Sequence, residues 1–226
     1  PKPSSAASDV YKRQALKADG SISVWGHTQW GGTNGPTGTG FVQISSSPHA
    51  FAAIKNDGTV KTWGYAAYGG TGGPTASGFS QVAASAFAFA ALKSDGSISA
   101  WGDAASGATG APTDTGYIRI FSNPFSFTAI KADGSIKSWG ATDSGGSGAP
   151  NGTGFKWVFP AYKAYTGLRQ DGSIISWGAT DKGGSTPSGL TGVVAIASSL
   201  EQPVWFSSST QTSPVGLKDV PYNYKI

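Results

Sequence analysis

The chain contains no cysteine and no methionine. Without thiols it has no disulfide, no thiol nucleophile and no thiolate metal site. Histidine is scarce too: His27 and His49 stand at unlike places and lack metal-type spacing. Charged residues make up 12% of the sequence, sixteen basic against twelve acidic, with a formal charge of +4. No block of one sign exists, so there is no electrostatic footprint for nucleic acid. No apolar run approaches the roughly 18 residues needed to span a bilayer. Absence of methionine means that residue 1 is not a natural start, and the chain is read as an excerpt whose targeting signals lie elsewhere.

What is abundant is a repeat. Asp-Gly-[Ser/Thr]-[Ile/Val]-x-x-Trp-Gly occurs five times at a spacing of 38 residues, with tryptophans at Trp25, Trp63, Trp101, Trp139 and Trp177. The paired aspartates are Asp19, Asp57, Asp95, Asp133 and Asp171. Fixed-period self-similarity identifies a repeat architecture. Glycine is high at 34 residues, but the regular apolar positions exclude a disordered linker.

One copy shows how a unit is built. Phe79–Val82 reads as a first strand, and Phe87–Lys93 as a second, richer in aromatics. Ser94-Asp95-Gly96 then turns the chain into Ser97–Gly102, because Asp-Gly between two alternating runs is a strong hairpin signal. The tail from Gly69 to Gly78 is loop, with room for one short strand and no helix. The column Ile22, Val60, Ile98, Ile136, Ile174 is out of phase with the tryptophan column, so the two lie on opposite faces. Both faces are therefore apolar, and each small sheet is covered on both sides.

The ends suggest closure. Val193–Ile196 matches the first strand of a further unit and Pro203–Phe206 its second. Val215-Gly216 then holds the Trp-Gly register, with Ser209-Thr210 in place of Asp-Gly. Joined, the two terminal pieces fall just short of one more repeat. The expected fold is all-β: a β-propeller of six short blades of three to four strands, the termini meeting in one composite blade, which hides sheet edges. It forms one domain over residues 1–226. Residues 1–14 break the pattern, with Pro3 where other copies place Phe41, Phe79, Tyr117 and Phe155, and SDVYKRQ resembles sequence at the edges of environmental assemblies. That segment is read as foreign to the natural chain.

AALKSDGSISAWG (residues 90–102) resembles the signature of the regulator of chromosome condensation repeats, which build β-propellers. The match recurs at Ala15-Leu16-Lys17, Ala53-Ile54-Lys55, Ala129-Ile130-Lys131 and Gly167-Leu168-Arg169. Two departures stand out: the family's usual unit is longer and its usual ring larger. The compact unit is similar to repeats of large proteins from marine microbes. Nucleotide exchange on a small GTPase, known in the family, depends on special loops absent here and is not implied.

Binding residues tend to sit where loops vary on a constant scaffold. The loop after each Trp-Gly varies most, and it supplies the candidates His27, Trp30, Tyr65, Tyr68, Asp103, Asp143 and Asp181. The aromatic side chains can stack on sugars or bases, with His27 or Asp103 supplying hydrogen bonds; alternatively, they pack against the neighbouring blade. The three aspartates lack the spaced local ligands of a calcium loop, so no metal and no cofactor is expected. A basic column, Lys17, Lys55, Lys93, Lys131 and Arg169, sits two residues before each hairpin aspartate and reads as locally neutralised. No nucleophile elbow, phosphate loop or other catalytic constellation occurs, and the chain is read as no enzyme. Asn151-Gly152-Thr153 is a glycosylation sequon in a loop.

The leading expectation is a non-enzymatic binding or scaffold module of a larger, extracellular or cell-surface protein. Its partner is a protein or glycan on the loop rim, without nucleic acid or a membrane span. Two alternatives remain: a self-assembling surface or fibre protein, and a lectin using the rim aromatics.

Overall fold

The computed structural model describes residues 12–197. These residues form antiparallel sheets from consecutive strands. The first sheet pairs β1 (Lys12–Leu16) with β2 (Ile22–Gly26). The second holds β3 (Phe41–Ser46), β4 (Ala50–Lys55) and β5 (Val60–Gly64), and the third β6 (Phe79–Ala84), β7 (Ala88–Lys93) and β8 (Ile98–Gly102). The fourth holds β9 (Tyr117–Ser122), β10 (Ser126–Lys131) and β11 (Ile136–Gly140), and the fifth β12 (Phe155–Ala161), β13 (Ala164–Arg169) and β14 (Ile174–Gly178). After each Trp-Gly comes a single 3-10 turn: Thr28–Trp30, Ala66–Tyr68, Ala104–Ser106, Thr142–Ser144 and Thr180–Lys182.

Three expectations need correction. Among the described residues a complete sheet has three strands, never four; the tail from Gly69 to Gly78 holds no strand, and a 3-10 turn, Ala66–Tyr68, precedes it. The first strand runs past Val82 to Ala84, because its whole length pairs with the second. Val193–Ile196 is not a strand, although the Val193 N–H donates to Gly172 O at 2.9 Å as Phe41 does to Gly20. Residues 12–14, set aside with the foreign segment, belong to β1. Pro3, Pro203–Phe206, Ser209-Thr210, Val215-Gly216 and the composite blade they were to form lie outside the described residues.

The hairpin signal works through two contacts. Asp57 Oδ1 accepts from the Thr59 N–H at 2.9 Å and from its hydroxyl at 2.7 Å, so the carboxylate caps its own turn. Gly58 has φ +77°, and a Cβ there would lie 2.5 Å from Gly78 N. That close approach lets the Phe79 N–H reach Gly58 O at 3.0 Å. Each hairpin is thereby tied to the start of the next unit.

The core lies between sheets, not within one. Ala50, Ala52, Ile54 and Val60 of the second sheet pack with Phe79, Val82, Phe89, Ala91 and Trp101 of the third. Ile130 and Ile136 of the fourth likewise meet Phe155, Tyr165 and Trp177 of the fifth. The Ile/Val face of one sheet therefore rests on the Trp face of its successor, as the alternating columns require. Burying such side chains contributes about 1.5–3 kcal/mol each. Trp63, Trp101, Trp139 and Trp177 are 3–6% exposed, whereas Trp25 is 49% exposed.

First strands of neighbouring sheets are stitched by side chains. Gln43 Nε2 donates to Val82 O at 2.8 Å, while its Oε1 accepts from the Val82 N–H at 3.3 Å. Gln81 repeats the clamp on Ile120 at 2.7 and 2.9 Å. An edge strand keeps outward N–H and C=O groups that must find partners once buried. Arg119 takes this place in the fourth sheet and lies 4.3 Å over the Trp157 ring instead.

Gln43→Ala is expected to leave both Val82 groups unpaired and to cost about 1–3 kcal/mol. A denaturant midpoint unchanged from the parent chain would refute the clamp's role. The five hairpin aspartates are held below the usual carboxylate range by hydrogen bonds from the residue two positions on. The sign follows: their contribution is complete above the unfolded carboxylate value of about 4 and is lost as pH falls through the lower folded values. Asp57→Asn is expected to flatten the acid limb of a pH–stability curve, measured by thermal melts.

Candidate functional site

Two sets of loops share one rim. The turn between the first and second strands carries His49, Phe87, Phe125 and Lys163, again one residue per repeat. Beside each runs the 3-10 turn that follows Trp-Gly. The Tyr65 N–H donates to His49 O at 2.9 Å, and Asp103, Ala141 and Ala179 bond in the same way to Phe87, Phe125 and Lys163. A left-handed glycine, from Gly31 at φ +93° to Gly183 at φ +95°, ends each 3-10 turn.

On the first three sheets these loops carry rings in contact. His27 stacks on Trp30 at 4.4 Å, and Trp30 meets His49 edge-on at 5.1 Å. His49 contacts Tyr68 at 4.9 Å and stacks on Phe87 at 5.5 Å. Tyr68 also packs on Phe87 at 4.8 Å and on Tyr65 at 5.1 Å. The result is a continuous ladder of six rings. Trp30 and Tyr68 are half-buried against the next sheet's turn, as the packing alternative anticipates, while His27 and Tyr65 remain exposed, Tyr65 by 43%.

The aspartates do not join this group. Asp103 caps its 3-10 turn, accepting from the Ser106 N–H at 2.9 Å. Asp143 accepts from the Ser144 hydroxyl at 3.0 Å and pairs with Lys163 at 3.5 Å; both contacts, the hydroxyl first, hold its carboxyl below the usual range. Asp181 pairs with Lys182 at 2.9 Å. Among the described residues no three His, Cys, Asp or Glu side chains come together as a metal site.

Over the fourth and fifth sheets the rim is tied by hydrogen bonds. Asn123 Nδ2 and the Ser126 hydroxyl both donate to Ser144 O at 2.7 Å, and the buried Tyr165 hydroxyl donates to Ser126 O at 2.7 Å. The basic column lies by the hairpins at the other end of the sheets. Its cations sit over first-strand rings, Lys55 at 5.1 Å from Phe41 and Arg169 at 4.5 Å from Phe155, rather than on the turn-capping aspartates. The exposed Asn151–Thr153 loop is nearby, with the Gly152 Cβ direction 3.8 Å from an Arg169 nitrogen.

Sequence reasoning missed His49 and Phe87, which sit at the centre of the ladder. The signal was present: their column varies as freely as the loop after Trp-Gly. His49 Nδ1 is buried without a hydrogen-bond partner. Burial holds the imidazole below its ordinary value of 6.5, and the Lys12 ammonium adds to this against an opposing Ala86 backbone contribution. Burial also pushes Lys12 down to about 7, although its Nζ donates to Ala50 O at 2.9 Å and lies 3.6 Å over Phe51.

A depressed His49 favours folding fully above the unfolded value near 6.5, and that contribution is lost as pH falls below it. His49→Phe, which copies Phe87 and Phe125, is expected to remove this loss. Denaturant midpoints at about pH 7.5 and about pH 5 test it, since both values lie clear of the free imidazole's pKa. An equal acid loss in the variant and the parent would refute it.

No family model and no curated protein sequence matches the chain. Solved structures do match. The ectodomain of the Physcomitrella patens receptor kinase CR4 is 17% identical with a TM-score of 0.58, over 83% of this chain and 54% of that one. The CRINKLY WD40 ectodomain of the Arabidopsis thaliana receptor kinase ACR4 is 18% identical with a TM-score of 0.56, over 83% and 64%. Yeast RCC1 (Prp20), solved with Kap60, is 18% identical with a TM-score of 0.54, over 74% and 54%. The chain thus spans between about half and two thirds of each structure. With the repeat, the sheet order and these likenesses together, the fold is that of an RCC1-like β-propeller.

Proposed function

We infer that the chain is a non-enzymatic binding module of a larger extracellular protein, its protein or glycan ligand seated on the ring ladder of the first three sheets. The observation that carries this reading is the ladder itself. Six rings meet on one sector of the rim, whereas on the other, built on the same frame, Phe125 meets only Tyr162 among the described rings and the Asn123–Ser126–Ser144 hydrogen bonds tie the turns. Contiguous exposed aromatics mark interaction surfaces, and Tyr and Trp dominate binding energy where they occur. The ligand-facing members are His27 and Tyr65; Trp30, Tyr68, His49 and Phe87 hold them in place.

Further support comes from the likenesses. Two are ectodomains of plant receptor kinases, and the Saccharomyces cerevisiae propeller Prp20p has binding properties to Gsp1p and histones. Among the described residues no helix is long and apolar enough to cross a membrane. The aspartates Asp103, Asp143 and Asp181 are occupied by caps and ion pairs and are left out of the site.

Panels of glycans and of extracellular proteins provide the test. A ligand found there should bind the double variant His27→Ala, Tyr65→Ala at least about 30-fold more weakly, the scale of an aromatic hot spot. Tyr162→Ala, on the opposite sector, should bind as the parent does. Equal affinity in all three proteins would remove the ladder as the site.

A further inference from the structure

The basic column has no part in the ring ladder, and one of its members shows what the others can hold. In the fourth sheet the Lys131 ammonium donates to Asp114 Oδ2, and the Tyr117 hydroxyl donates to Asp114 Oδ1 at 3.0 Å. These bonds, that from Lys131 first, hold the Asp114 carboxyl below the usual range against the rise that burial brings. Lys131 stays over the Tyr117 ring meanwhile, 4.9 Å from its centroid. A cation resting on a first-strand ring therefore accepts a carboxylate presented by an extended loop.

Lys93 and Lys55 have the same platform, 5.4 Å from the Phe79 ring and 5.1 Å from the Phe41 ring. In the 38-residue register, however, Ala76 and Gly38 stand where their loops would carry Asp114. Neither lysine forms an ion pair among the described residues. The hairpin aspartates do not take that part: Asp95 Oδ1 accepts from the Ser97 N–H and hydroxyl at 2.8 and 2.7 Å, and Asp57 holds Thr59 likewise. They meet the lysines by longer-range attraction alone. Ser94 and Asn56, the exposed neighbours of the two lysines, place a polar donor where the fourth sheet has Ala132. Lys61, Lys137, Arg119 and Lys156 add positive charge close to the same hairpins. The third sheet, which carries Lys93, lies between the second and the fourth, and all three are described in full.

We propose that the hairpin end of the second and third sheets binds an acidic segment of a protein partner, whose Asp or Glu side chains seat on Lys93 and Lys55 as Asp114 seats on Lys131. A peptide carboxylate is favoured over other anions because a peptide carboxylate is what this chain itself places on the equivalent lysine. Exposed ion pairs are weak singly, so the two lysines act together and salt weakens the contact. The surface lies at the opposite end of the sheets from the ring ladder and does not depend on the binding role inferred above.

Fluorescence anisotropy of a labelled decaglutamate peptide at low ionic strength tests this with three surface variants. Ala76→Asp gives Lys93 the internal carboxylate that Lys131 has, and is expected to weaken binding about fivefold, the upper end for an exposed pair. Ala67→Asp adds the same charge at the ladder rim, where the fourth sheet has Asp143, and is expected to bind as the parent does. Asp114→Asn releases Lys131 while keeping an acceptor for the Tyr117 hydroxyl, and is expected to strengthen binding by a similar factor. A parent chain that does not bind the peptide would overturn the proposal. So would equal weakening by Ala76→Asp and Ala67→Asp, which reduces the effect to net charge, or an Asp114→Asn variant no tighter than the parent. Binding of a sulfated polysaccharide but not of the peptide would also overturn it and assign the surface to that polymer.

Discussion

Everything in this molecule is arranged around glycine turns that lie flat beneath the rings of the next sheet. The turn must be left-handed to reverse the chain, and it must lack a Cβ to admit the ring at van der Waals distance. These two demands fall on the same residue, which no other amino acid satisfies together. From them follows the strict period: Gly69 and Trp101 are 32 positions apart, as are Gly107 and Trp139. An insertion between Gly69 and Trp101, or between Gly107 and Trp139, would carry that tryptophan off its carbonyl. Loop variation is therefore confined to side chains, and the backbone of the rim barely changes from copy to copy.

The frame was legible because it uses strong local signals. Asp-Gly turns and period-2 columns give the hairpin and its two apolar faces without knowledge of tertiary structure. The 3-10 turns were not legible, since three residues are too few to show a period and sequences as unlike as Ala66–Tyr68 and Thr142–Ser144 adopt one conformation. What they share is the glycine that follows. The Gln43 and Gln81 clamps were hidden for another reason. A polar residue inside a strand reads as solvent-facing, and only the position of the neighbouring edge shows that it is buried and paired. Of the candidate residues, His27, Trp30, Tyr65 and Tyr68 stand together in one series of ring contacts, and Asp103, Asp143 and Asp181 stand apart from it. Asp103 and Asp143 stand at variable positions for local reasons, one as a cap and one as an ion-pair partner.

A rim whose halves differ while its backbone does not says something about where selectivity resides. Rings can stack without satisfying hydrogen bonds, so the ladder over the first three sheets keeps open faces at His27 and Tyr65, and its polar cost falls on the buried Nδ1 of His49. The Asn123–Ser126–Ser144–Tyr165 network does the opposite. Its groups are buried and mutually satisfied, and replacing any one of them leaves others unpaired. Substitution is thus cheap on the first sector and expensive on the second. A ligand surface has room to change where side chains are not already committed to one another.

Repeat proteins draw their stability from nearest-neighbour contacts, so their end units are the least secure. Among the described residues one side chain lacks the contacts that its equivalents make. Trp25 stands where four equivalent tryptophans are buried, and its cross-strand neighbour is Arg13 where theirs are Phe51, Phe89, Phe127 and Tyr165. Charge at that position lowers the gain from a stacked pair and raises the cost of covering it.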